Sequence, residues 1–86
     1  MIRIYTIPQC GYCTELKTLL TDEAISFVEL NVLLPENNVE YDKITEITKS
    51  DDVPIIKVDK HLLIPNISFK TINEAVDLIK KFLSGE

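Results

Sequence analysis

Hydrophobic residues are concentrated at the start of the chain, where Ile2 to Ile7 reads IRIYTI. A run this rich in β-branched and aromatic side chains, ended by Pro8, predicts a short buried strand. From Gly11 to about Ala24, leucines recur at helical spacing with polar residues between them. That pattern predicts an amphipathic helix, so the chain opens with a β-α pair.

A second β-α pair is predicted in the next part of the chain. The segment ISFVELNV, from Ile25 to Val32, favours a strand, and LLPENN after it favours a turn. Tyr41, Ile44 and Ile47 then follow at steps of three residues. They predict the apolar face of a second helix.

The last third of the chain begins with a predicted hairpin. Two apolar segments, Val53 to Val58 and His61 to Ile64, flank the polar pair Asp59 and Lys60. Two short strands joined by two polar residues are typical of a β-hairpin, although this pair lacks the glycine that hairpin turns often carry.

A third helix shows the most regular amphipathic pattern in the chain. Its apolar residues are Ile72, Ala75, Val76, Ile79, Phe82 and Leu83. Thr71 and Glu74 form a capping-box sequence at its start. The predicted order is therefore β-α-β-α-β-β-α. Because a strand-helix-strand unit makes neighbouring strands parallel, we expect an α/β fold: a four-stranded mixed sheet covered by three helices.

Length and charge narrow the classes of function. The chain has 86 residues, enough for one core, so residues 1–86 are expected to form a single domain. Its 14 acidic and 9 basic side chains give a formal charge of −5. Nucleic-acid binding is not expected, because it depends largely on an excess of Lys and Arg.

Hydropathy predicts neither a membrane anchor nor a secretory signal, since no apolar run approaches the roughly 20 residues that span a bilayer. We therefore expect a cytoplasmic protein. In a reducing compartment a purely structural disulfide is disfavoured. A metal site within one chain is not expected either, because the two cysteines and the single histidine, His61, fall short of four zinc ligands.

The chemistry of interest lies in CGYC, where the only two cysteines stand three positions apart at the start of the first helix. The free N–H groups and positive dipole of a helix N-terminus favour the thiolate of Cys10, which makes it the candidate nucleophile. Cys13 follows one turn later and is the candidate resolving thiol. Tyr12 offers a ring against which a substrate can rest, or a ring packed on the surface.

The stretches IYTIPQCGYCTELKTLL and SDDVPIIKVDKHL resemble the glutaredoxin family. The resemblance covers most of the chain and implies the thioredoxin-like fold, with Cys10 as nucleophile and Cys13 as resolving cysteine. It also implies a cis peptide bond before Pro54, facing the cysteines. Val53 would then pair its backbone with an extended substrate, as an added strand does.

Two positions differ from many glutaredoxins. Ile7 stands three residues before Cys10, where a Lys or Arg is common in the family, and LLIPNISFKT lacks the usual Gly-Gly pair. Lys57 and Lys70 are candidates for the missing charge, with solvated lysines as the commoner alternative. Asn66 and Ser68 are candidate substrate contacts, although both residue types are also frequent in helix caps.

The leading hypothesis is a monomeric thiol–disulfide oxidoreductase with no permanently bound cofactor. It would reduce protein disulfides or glutathione mixed disulfides, with glutathione as the reductant. One alternative is an electron donor dedicated to a partner enzyme such as ribonucleotide reductase, and reduced by a thioredoxin reductase. Another is a protein that binds a glutathione-ligated iron–sulfur cluster at a dimer interface.

Overall fold

The computed structural model describes residues 2–49 and 52–84 of the chain. Its elements are β1 (Ile2–Thr6), α1 (Gly11–Asp22), β2 (Val28–Asn31), α2 (Pro35–Thr48), β3 (Ile55–Val58), β4 (His61–Leu63) and α3 (Ile72–Leu83). This is the β-α-β-α-β-β-α order that the hydropathy pattern predicts. Ser50 and Asp51, the first two residues of the second stretch that resembles glutaredoxins, lie outside the described residues.

The strands form one mixed sheet in the order β2-β1-β3-β4. The β1 and β2 strands are parallel, as a β-α-β unit requires, whereas β1 pairs antiparallel with β3 and β3 pairs antiparallel with β4. The order places β1 and β3 in the centre and leaves β2 and β4 at the edges. The predicted four-stranded mixed sheet is therefore confirmed.

Helices cover both faces of this sheet. Successive side chains of β1 point to opposite faces, and apolar side chains on each face pack against helices. Ile2 and Ile4 belong to the larger apolar cluster, which α1 and α3 complete with residues such as Leu16 and Ile79. Tyr5 belongs to the smaller cluster, in which α2 contributes the buried Ile44. Burial of these apolar side chains is the main term that holds the layers together.

Two predicted boundaries of the first β-α-β unit are corrected by the structure. Helix α1 ends at Asp22, and Ala24 takes the left-handed conformation with φ 58°. The N–H of Ile25 then donates to the carbonyl of Leu20 (2.9 Å), which closes the helix. Strand β2 starts at Val28 rather than Ile25, because the residues before it make this connection.

The second helix begins earlier than its apolar pattern predicts. Pro35 occupies its first turn, where the missing N–H costs no hydrogen bond, so the segment predicted as a turn opens the helix instead. Ile47 is 77% exposed and does not share the buried face with Ile44. Steps of three residues rotate about 60° backwards around a helix each time, which carries the third residue of such a series off the face.

The remaining elements agree closely with the prediction. The register of β1 with β3 ends at the Tyr5–Ile55 pair, so the strand is shorter than predicted and Val53 and Pro54 precede it. The hairpin turns through Asp59, with φ 52°, and β4 ends one residue early, at Leu63. In α3 the complete capping box is present.

The remaining sequence expectations concern membranes and metals. Among residues 2–49 and 52–84, no helix has the length and apolar character needed to cross a membrane. Over the same residues, no group of three potential metal ligands is found. His61 instead stacks its ring on Phe82 of α3, with the ring centroids 4.0 Å apart.

Candidate active site

Cys10 and Cys13 are joined by a disulfide, with their Cα atoms 5.2 Å apart. The two sulfur-bearing residues differ in exposure, because Cys10 is half-buried whereas Cys13 is 2% exposed. Their spacing of three residues in α1 brings both side chains to the same side of the helix. The disulfide therefore has an outer sulfur that a substrate can reach and an inner sulfur that is covered.

The backbone at the start of α1 supplies a hydrogen-bond donor to the outer sulfur. Cys10 is the N-cap, and its Sγ accepts a hydrogen bond from the N–H of Cys13 (3.1 Å). Gln9, immediately before it, has φ 60°, a left-handed turn that the sequence pattern does not reveal. An N-cap position with free N–H groups and the positive end of the helix dipole favours an anion, which for a reduced cysteine is the thiolate.

One cavity, here called the cysteine cleft, lies on the β2 side of the disulfide and has a volume of about 450 Å³. Its walls include Cys10, Cys13, Lys17, Glu29, Asn31, Leu34, Glu36 and Asn37, together with residues 6–9. Helix α1, strand β2 and the start of α2 thus meet around both cysteines.

A partly exposed ion pair lines the cysteine cleft. Lys17 of α1 donates from Nζ to Oε2 of Glu29 on β2 (2.8 Å). The buried Thr6 donates from Oγ1 to the same oxygen (2.9 Å). The hydrogen bond from Lys17 is the main influence that lowers the pKa of Glu29. Glu29 is therefore ionised at neutral pH and binds the lysine in the cleft that both cysteines line.

The second cavity, here called the proline groove, has a volume of about 380 Å³ and lies on the β3 side of the α1 N-terminus. It is lined by Tyr12, Asp52, Val53, Pro54, Pro65, Asn66, Phe69, Lys70 and Ile72. The Val53–Pro54 peptide bond is cis, as the family resemblance implies. Four of the predicted substrate contacts, Tyr12, Val53, Pro54 and Asn66, thus share one cavity.

Ser68 is placed differently from the other predicted contacts. Its Oγ accepts a hydrogen bond from the N–H of Ile64 (3.0 Å), which ties the segment after β4 together. Asn66 lies in the same turn, has φ 66°, and donates from its backbone N–H to the carbonyl of Phe69 (2.8 Å). Within the described part of the chain, Ser68 lines neither cavity.

Among the described residues, two lysines line the cavities beside the disulfide. Lys70 lines the proline groove, and Lys57 lies in β3 and lines neither cavity within the described residues. Lys17 is the basic residue that lines the cysteine cleft, a position that the sequence analysis missed. The available signal was its spacing of four residues from Cys13, which places both on one helix face.

Sequence comparison agrees with this architecture. The glutaredoxin family model matches residues 2–63. An uncharacterized glutaredoxin-like 8.6 kDa protein in the rubredoxin operon of Clostridium pasteurianum is 31% identical over 64 residues, which cover 74% of this chain and 83% of that protein.

Solved structures show the same fold at lower sequence identity. Wheat glutaredoxin superposes with a TM-score of 0.71 and 16% identity, over 96% of this chain and 76% of that one. The buckwheat glutaredoxin–glutathione complex superposes with a TM-score of 0.70 and 11% identity, over 94% of this chain and 69% of that one. These structures confirm the thioredoxin-like fold, and with the match of the family model they show that the chain belongs to the glutaredoxin family.

Proposed function

We propose that this protein reduces protein disulfides or glutathione mixed disulfides by dithiol exchange through Cys10 and Cys13. The family and the CxxC disulfide support a thiol–disulfide oxidoreductase. The observation that carries the assignment of roles is the position of Cys10 at the helix N-cap, where its Sγ accepts the N–H of Cys13. That environment favours the outer sulfur as the thiolate that attacks first.

In the first step one half of the substrate becomes disulfide-bonded to the protein. The Cys10 thiolate attacks a sulfur of the substrate disulfide, an S–S bond forms between them, and the substrate's own S–S bond breaks. The second substrate sulfur leaves as a thiolate and takes a proton from solvent. The product is a mixed disulfide between Cys10 and one half of the substrate.

The second step releases that half. Cys13, as a thiolate, attacks Sγ of Cys10, so the Cys10–Cys13 disulfide forms and the remaining substrate sulfur leaves. Two electrons have then passed from the protein dithiol to the substrate. The disulfide described above corresponds to this oxidised product.

The oxidised protein returns to the dithiol when two external thiols reduce it, and we propose glutathione as their source. Two glutathione molecules would leave as one glutathione disulfide, so that electrons balance. Support comes from the buckwheat structural neighbour, which is described as a glutathione complex.

The proline groove is the proposed place for the substrate backbone. Val53 and Pro54 lie just beyond the last β1–β3 pair, where an extended peptide can continue the sheet. Tyr12, 68% exposed, stands at the rim of this groove between the two cysteines in sequence. Recognition of this kind depends on the backbone and tolerates different substrate sequences.

Replacement of each cysteine in turn tests the roles. With a protein disulfide as substrate, Cys10→Ser is expected to abolish turnover, whereas Cys13→Ser is expected to accumulate a mixed disulfide detectable by mass spectrometry. Equal residual activity in both variants, or trapping by Cys10→Ser instead, would contradict the assignment.

A second test separates the electron source. The apolar Ile7 lines the cysteine cleft and is 37% exposed, in the position where many glutaredoxins carry a cation, and this favours keeping a dedicated donor as the second candidate. Purified oxidised protein should be reduced by glutathione alone within the time of catalytic turnover. Rapid reduction by a thioredoxin reductase, with glutathione ineffective, would instead support the dedicated donor.

A further inference from the structure

We propose that Lys17, held in place by Glu29, stabilises the thiolate of Cys13 and thereby speeds the resolving step; this rests on the proposed function. Cys13 is the sulfur that most needs such help. It is 2% exposed, and burial without a compensating charge disfavours a thiolate.

Geometry places the lysine beside this sulfur. Lys17 follows Cys13 by four residues in α1, a separation that places the two Cβ atoms about 6 Å apart on one face of the helix. Both residues line the cysteine cleft. Cys10 also lines this cleft and its sulfur is bonded to that of Cys13, so the effect of the charge on Cys13 alone is measured in a Cys10→Ser background.

Glu29 fixes where that charge lies. Its Oε2 accepts hydrogen bonds from Nζ of Lys17 (2.8 Å) and from Oγ1 of Thr6 (2.9 Å). Thr6 is 2% exposed in the central strand β1, so it anchors the carboxylate to the sheet. The carboxylate positions Lys17 over the cleft while its own negative charge opposes the effect on the thiol.

The other charged groups around the cysteines are few. Glu36, in the first turn of α2, is the remaining titratable side chain on the cysteine cleft, apart from the cysteines, within the described residues. Asp52 and Lys70 lie on the other side, along the proline groove.

Helix α3, which packs on α1, adds no charge to the cleft among the residues that the structure describes. Its Glu74 closes the capping box, and its Lys80 pairs with Glu23 beyond the far end of α1 (3.0 Å). Among the described residues, the charged side chains on the cysteine cleft are therefore the Lys17–Glu29 pair and Glu36.

Opposite shifts in the thiol pKa provide the test. In a Cys10→Ser background, the titration of Cys13 is followed by thiolate absorbance in the ultraviolet. Lys17→Met should raise the Cys13 pKa by about half a unit, and Glu29→Gln should lower it by a similar amount. Lys17→Met combined with Glu29→Gln should return it close to the starting value.

Lys43→Met is the matched control, because it removes the same charge from an exposed position of α2 that does not line the cleft. It should leave the Cys13 pKa unchanged. In protein with both cysteines, Lys17→Met should also prolong the mixed disulfide in single-turnover reduction, and high salt should shrink the difference, since both side chains of the pair are partly exposed.

The proposal is overturned if Lys17→Met leaves the Cys13 pKa unchanged, or if both single variants shift it in the same direction, which would indicate altered packing. The titration needs no substrate, so its outcome is independent of whether the protein reduces disulfides. If the protein reduces no disulfide but Lys17→Met raises and Glu29→Gln lowers the Cys13 pKa, the proposed function is contradicted and the electrostatic role of Lys17 is supported.

Discussion

The two cavities beside the active-site disulfide are built from different chemistry. The cysteine cleft contains both sulfurs and the ion pair of Lys17 and Glu29. The proline groove contains an exposed ring, Tyr12, and the cis Val53–Pro54 peptide bond. Because the first borders β2 and the second borders β3, the sheet order holds them on different sides of β1. In the proposed function, the cleft would set the reactivity of the thiols and the groove would contact the substrate.

Among variants that keep both cysteines, the largest effect is expected from Tyr12→Ala. Loss of the ring from the groove should raise KM for a disulfide substrate about tenfold, equivalent to about 1.4 kcal/mol, with kcat and the Cys13 pKa unchanged. Steady-state kinetics with a mixed-disulfide peptide measures this. Tyr12→Phe keeps the ring and should retain most of the affinity. An unchanged KM in Tyr12→Ala would show that the ring does not contact the substrate.

A smaller effect is expected from Ser68→Ala, and on stability rather than binding. The hydroxyl bonds the N–H of Ile64, so its loss should lower the free energy of unfolding by about 1 kcal/mol. Urea unfolding of the oxidised protein gives this value, with the exposed Ser26→Ala as control. KM should not change. A raised KM at unchanged stability would restore Ser68 as a candidate substrate contact.

The smallest effect concerns the pH dependence of the ion pair. The pKa of Glu29 is lower in the folded protein than its ordinary value of 4.5, chiefly through the hydrogen bond from Lys17. The ionised carboxylate therefore stabilises the folded protein fully at pH values above the ordinary pKa. This stabilisation is lost as the pH falls through the lowered pKa of the folded state. Exposed pairs contribute less than about 1 kcal/mol.

Urea unfolding of the oxidised protein and of Glu29→Gln, at a series of pH values, should show a small difference at neutral pH that disappears in acid. A difference that stays constant to low pH would mean that the carboxylate charge does not stabilise the fold. The cleft would then lack the held charge on which its contrast with the groove depends.

Helices α2 and α3 show which parts of the fold the sequence predicts. In α3 the apolar spacing and the Thr71–Glu74 capping box point to the same start, and the structure has both. In α2 the apolar residues are sparse. Their spacing of three residues predicts that Ile47 shares the buried face, but its side chain lies in solvent. The stronger signal for that helix was Pro35 in its first turn.

The edge strand β2 is more exposed than the central strands β1 and β3. Its residues from Val28 to Asn31 are exposed or half-buried. An edge strand has a neighbour on one side only, and a hydropathy pattern read along the chain does not reveal strand order. Topology, rather than local composition, decides the burial of such a segment.

The candidate site divides in a similar way. The CxxC spacing and the helix start identify Cys10 and Cys13, since that chemistry is local in sequence. The ion pair of Lys17 with Glu29 joins residues 12 positions apart across two elements, and only the fold brings them together. Residue type alone makes Ser68 a candidate contact, whereas its hydroxyl accepts a hydrogen bond within the turn after β4.

The edges of the sheet have a consequence for behaviour at high protein concentration. Exposed strand edges invite pairing with another molecule, and short edges with charged side chains resist it. Here β2 has four residues, including the ionised Glu29, and β4 has three, with His61 stacked against Phe82. Both edges are therefore poor sites for pairing with a strand of another molecule. Glu29, which lines the cysteine cleft, also disfavours such pairing at β2.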